Sequence, residues 1–75
     1  MNKIKVILDT QTDISEFVCI ANSIEEPVLI EDGTGFRVNA KSLMGVMYGM
    51  TEFKELFVLS DNQALSSKFL KFIVW

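Results

Sequence analysis

Polar and apolar residues alternate at the start of the chain. In Lys3-Ile4-Lys5-Val6 every second side chain falls on one side of an extended strand, and Ile7-Leu8 ends the run more apolar. Asp9-Thr10-Gln11-Thr12 is a turn-rich break. The period then changes. Ile14, Phe17, Val18, Ala21 and Ile24 recur at helical spacing, which predicts a helix over residues 14 to 24. Asp13, three residues before Glu16, supplies a capping-box-like start, because each side chain can bond a free backbone N–H of the first turn. Pro27 excludes a continuing helix.

Val28-Leu29-Ile30 and Phe36-Arg37-Val38 predict two strands joined by Asp32-Gly33-Thr34-Gly35, a hairpin turn whose glycines can take positive φ. Ser42 opens a short helix, followed by Leu43, Met44, Val46 and Met47, with Gly49 as its stop. Leu56-Phe57-Val58-Leu59 reads as a fourth strand, within 54 to 59. Ser60 to Gln63 offers a second capping box, for a last helix with Ala64, Leu65, Phe69, Leu70, Phe72 and Ile73 on its apolar face. The order β-α-β-β-α-β-α predicts an α+β fold in one domain, 1 to 75. In it a four-stranded antiparallel sheet is covered by three helices on one face and partly wet on the other.

Composition narrows the chemistry. In 75 residues there is no histidine and one cysteine, Cys19. A Ser-His or Cys-His pair is therefore impossible and an internal disulfide cannot form. No metal site, cofactor or enzymatic activity is expected. Neither a signal peptide nor an apolar run of about 20 residues is present, which fits a cytoplasmic protein that does not enter a membrane. The formal charge is −3, with carboxylates gathered at Glu25, Glu26, Glu31 and Asp32 and the basic residues scattered. That pattern suits solubility and lacks the clustered cations that direct nucleic-acid binding needs.

Three local features read as structure. Gly33-Thr34-Gly35 is too short for a phosphate-binding loop and lacks its lysine. Gly45 and Gly49, four apart on one helix, suit close packing or a helix stop. Cys19, between Val18 and Ile20, is expected as a buried or half-buried, inert thiol. The C-terminal run from Phe69 to Trp75 exceeds the needs of one buried face. Exposure of Leu70, Val74 or Trp75 would make a homodimer surface, unless the segment closes over the sheet edge or frays.

The segment Val38-Asn39-Ala40-Lys41-Ser42-Leu43-Met44-Gly45-Val46-Met47 closely resembles the regulatory-serine segment of the HPr (histidine phosphocarrier) family of the sugar phosphotransferase system. There a serine at a helix N-terminus precedes an apolar residue, Met, Gly, Val and Met. The resemblance extends to element order along nearly the whole chain. It implies an open-faced β-sandwich with strand order 1-4-2-3 and three helices on one side.

The family's other motif, a phosphoacceptor histidine followed by a small residue, an arginine and a proline, is absent. Aligned from the first strand, Asp13 stands for the histidine, Ser15 for the arginine and Glu16 for the proline. Carrier chemistry needs an imidazole nucleophile and donors for three phosphoryl oxygens. Asp13 and Glu16 put negative charge where a dianion would sit. Asp13 thus reads as a helix cap, with phosphorylation on Asp13 itself as the alternative.

Ser42 has two compatible readings. Structurally it is an N-cap. By resemblance it is a regulatory phosphorylation position, used by an ATP-dependent serine kinase in low-GC Gram-positive relatives, where the phosphoprotein binds a catabolite-control repressor. A phosphate is favoured at a helix N-terminus, and Lys41 adds a nearby cation. Leu43, Met44 and Met47 correspond to the family's docking patch for enzyme I, sugar-specific enzymes, the kinase and the repressor; methionines suit such shared surfaces. The resemblance implies a non-catalytic regulator or adaptor in sugar-transport control, loosely like the histidine-less paralogue Crh, which keeps the arginine that Ser15 replaces here. A phosphoryl-transfer component using Asp13, or a structural or dimerisation module without phosphate chemistry, are the alternatives.

Overall fold

The computed structural model describes residues 1–74; Trp75, named above among the exposed apolar residues, lies outside them. The elements are β1 (Asn2–Val6), α1 (Gln11–Asn22), β2 (Val28–Glu31), β3 (Arg37–Asn39), α2 (Leu43–Glu52), β4 (Leu56–Ser60) and α3 (Leu65–Lys68), followed by a 3₁₀ turn at Leu70–Phe72. The expected α+β fold is observed, with a four-stranded antiparallel sheet in the order β1-β4-β2-β3 and three helices. No described helix is long and apolar enough to cross a membrane.

Strand alternation produces two unlike sheet faces. Val6, Val28, Ile30, Leu56 and Val58 are buried, with Ile4 and Val38 packed at their margin. Against them lie Ile14, Phe17 and Ala21 from α1, Val46 from α2, and Leu65, Phe69 and Phe72 from the C-terminal segment. The rings of Phe17 and Phe69 are 4.8 Å apart and those of Phe17 and Phe72 6.0 Å, each pair contributing about 1 kcal/mol beyond burial. The other face carries Lys3, Lys5, Glu31, Arg37 and Phe57. There Glu31 is clamped between Lys3 at 3.0 Å and Arg37 at 2.9 Å, joining β1, β2 and β3.

Several expected boundaries differ. The capping box of α1 lies one turn earlier: Thr10 is the N-cap and Asp13 its return partner, so Asp13 is not the cap and Glu16 is not in the box. Gly49 does not stop α2, which continues to Glu52. A Cβ there would lie 2.5 Å from Ile30 Cδ1, so this glycine lets helix and sheet close. The second capping box is absent. Ser60 is buried at the end of β4, and its hydroxyl accepts the Asn62 N–H, which turns the chain instead of starting a helix.

The last helix is also short. After α3 the chain tightens into the 3₁₀ turn and then pairs antiparallel with β1: Ile7 N–H donates to the Phe72 carbonyl at 2.9 Å and Val74 N–H to the Lys5 carbonyl at 3.0 Å. The segment thus closes part of the β1 edge, while Leu70 and Val74 remain exposed. The hairpin glycines have the expected positive φ, +93° at Gly33 and +105° at Gly35.

Candidate functional site

Ser42 caps α2. Its backbone is extended and its hydroxyl accepts the Gly45 N–H at 3.2 Å. The Ser42 N–H in turn donates to the Asn39 carbonyl at 3.2 Å, tying the helix start to the end of β3. Gly45 completes this junction, because a Cβ would stand 2.9 Å from the same carbonyl oxygen. The helix N-terminus is therefore fixed, with Ser42 half-buried at its end.

From this cap the helix divides its apolar residues between two directions. Val46 and Gly49 face the sheet and are buried. Leu43, Met44, Met47 and Tyr48 face outward; Met44 is 81% exposed and the others nearly half. The patch expected at Leu43, Met44 and Met47 is thus accessible, and Val46 packs inward as expected. Phe36 of the hairpin extends the patch. Its ring lies 6.3 Å from Tyr48 and 5.8 Å from Phe53, and Tyr48 and Phe53 are 6.1 Å apart in an edge-to-face arrangement. These aromatic residues come from the hairpin, from within α2 and from its C-cap, so no single periodic run signals the cluster.

A cleft of about 150 Å³ separates α1 from α2, lined by Gln11, Ile14, Ser15, Leu43 and Met47. The fold therefore brings Ser15 of α1 beside Leu43 and Met47 of the α2 patch. Asp13 and Glu16 do not line that cleft. Asp13 Oδ2 accepts the backbone N–H groups of Asp9 and Thr10 at 3.0 and 3.3 Å. Glu16 pairs with Lys71 of the C-terminal segment, and this bond holds the Lys71 ammonium above its usual pKa. Both carboxylates thus have partners within the fold. Lys41 is not a free cation beside Ser42: its ammonium donates to the Ile24 and Glu25 carbonyls in the loop between α1 and β2.

Cys19 is exposed, contrary to expectation, because the buried face of α1 runs through Ile14, Phe17 and Ala21 and leaves Cys19 outward. Among the described residues no group of His, Cys, Asp and Glu could hold a metal ion. What the site offers is a fixed helix start carrying a hydroxyl, an adjoining apolar face and a small cleft beside it. No family model, curated protein or solved structure matches the chain.

Proposed function

We propose that this chain is a non-catalytic regulatory or adaptor domain of the HPr kind, which binds other proteins through the outer face of α2 and is adjusted by phosphorylation of Ser42. The observation that carries the reading is the row Leu43, Met44 and Met47, exposed and running directly from the Ser42 cap. The sheet order β1-β4-β2-β3, which the resemblance implies, supports it. The bonding of Asp13 and Glu16 within the fold supports a carrier centre turned to structural use.

In this reading the partners are proteins of a cytoplasmic sugar phosphotransferase or carbon-catabolite system: a serine kinase, a repressor or an enzyme I-like protein. A phosphate on Ser42 carries about −1.5 to −2 charge and meets the free N–H groups and positive dipole end of α2. The test is intact mass after incubation with an HPr serine kinase and ATP, and separately with enzyme I and phosphoenolpyruvate. A gain of about 80 Da with the kinase, one phosphoryl group, lost in Ser42→Ala, supports the regulator. A gain with enzyme I alone assigns phosphotransfer to another residue, with Asp13 the first to examine. No gain in either leaves a binding module without phosphate chemistry.

A further inference from the structure

We propose that the partner surface fitting the α2 face is cationic, an apolar centre rimmed by Lys and Arg as on a basic amphipathic helix. The inference rests on the docking reading above and adds the partner's chemistry.

Charge is unevenly divided along the chain. Residues 9 to 52 hold eight of the ten carboxylates and two of the seven cations, a formal −6, against +3 for the remainder. The fold keeps this division, since those residues build α1, β2, β3 and α2. Both cations of the acidic part are turned to internal bonds: Arg37 pairs with Glu31 on the opposite sheet face, and Lys41 bonds the Ile24 and Glu25 carbonyls in the loop after α1. Glu52, in contrast, lines the hollow formed by Met44, Met47, Tyr48 and Thr51. Asp32 lies at the hairpin that carries Phe36, its N–H bonded to the Phe36 carbonyl. Asp9 precedes the Thr10 cap of the helix whose Gln11 and Ser15 line the cleft, and Asp13, which accepts the Asp9 and Thr10 N–H groups, lies in that helix's first turn. Lys54 follows Phe53 but lines a separate hollow with Lys5 and Glu55, toward β1.

The exposed parts of Phe36, Leu43, Met44, Met47 and Tyr48 amount to on the order of 500 Å². A stable interface covers about 800 Å² per partner, so apolar contact here supports transient binding, in which charge sets encounter rate and selectivity. A second copy joined through the same face would set Glu52 and its acidic surroundings against themselves, which disfavours that occupant.

Two fluorescently labelled amphipathic peptides with one leucine face, one with lysine and the other with glutamate on the polar face, test this by anisotropy titration. The Leu–Lys peptide should bind at least about tenfold more tightly than the Leu–Glu peptide, and weaken about tenfold between roughly 50 and 500 mM NaCl. Met44→Ser/Met47→Ser should abolish binding and Glu52→Lys should weaken it. These surface substitutions leave the core intact, which circular dichroism checks. If the Leu–Glu peptide binds as tightly, and that binding is lost in Met44→Ser/Met47→Ser, docking on α2 stands and the cationic partner is overturned. Leu–Lys binding that survives Met44→Ser/Met47→Ser is attraction to net charge and also overturns it. Binding of neither peptide overturns this inference and the docking reading together.

Discussion

Ser15 of α1 and Met47 of α2 line one cleft, although 32 positions separate them in the chain. The cleft joins the first turns of α1 to the exposed face of α2. A larger side chain at Ser15 should therefore obstruct docking without unfolding the protein, since Ser15 is exposed. For Ser15→Trp the expected result is an unchanged melting temperature and a loss of kinase-dependent phosphorylation of Ser42, read by intact mass.

The capping role of Ser42 can be measured apart from its proposed phosphorylation. Removing the hydroxyl that accepts the Gly45 N–H should cost about 1 kcal/mol. In a domain of this size that is a fall of about 4–8 °C in Tm. Ser42→Asp keeps an acceptor and adds charge at the positive helix end, so its Tm should stay near that of the wild type. Calorimetry of the two variants checks both values.

Gly49 sets how closely α2 approaches β2. Gly49→Ala gains about 1 kcal/mol in helix propensity but drives a methyl to 2.5 Å from Ile30 Cδ1, and overpacking costs about 1–3 kcal/mol. Net destabilisation is expected. Ile30→Val removes the Cδ1 atom and leaves the Phe53 ring at 3.3 Å as the remaining tight contact, so in the double variant Gly49→Ala should cost less than it does beside Ile30. Urea unfolding of the four-member cycle measures this coupling.

Acid should weaken the sheet through Glu31. Hydrogen bonds from Lys3 and Arg37 hold its carboxyl below the usual range. The folded pKa is lower than the unfolded one, so the stabilisation is complete above the unfolded value of about 4.3 and is lost as pH falls through the depressed folded value. Glu26, bonded by Asn62, and Asp32, bonded by Thr34, are lowered too and add to the same trend. Glu31→Gln should be less stable than the wild type at pH 7, with the difference narrowing at about pH 3. Urea midpoints across that range give the comparison.

The sequence revealed the element order because each run has one clear period, and the hairpin because Asp32-Gly33-Thr34-Gly35 has few other uses. It also separated Val46, facing in, from Leu43 and Met47, facing out. Capping motifs misled, since Thr10 and Asp13 satisfy the same rule as Asp13 and Glu16, and only tertiary placement selects between them. Ser60 failed as a cap because it is the buried last residue of β4, and its hydroxyl accepts the Asn62 N–H of the turn that follows. The C-terminal run kept its apolar pattern, but pairing with β1 drew its end out of a helix. The bonds made by Lys41, Glu16 and Asp13 depend on partners distant in sequence or on backbone groups, which no motif displays.

The four methionines, Met1, Met44, Met47 and Met50, are natural probes of the central claim, because they divide between the α2 face and elsewhere. Methyl NMR of the protein titrated with an HPr serine kinase reads each ε-methyl separately. Docking through α2 predicts that Met44 and Met47 shift or broaden, Met50 responds less because it is half-buried, and Met1 stays unchanged. Shifts centred on Met1, or no response at Met44 and Met47 at saturating kinase, would contradict it.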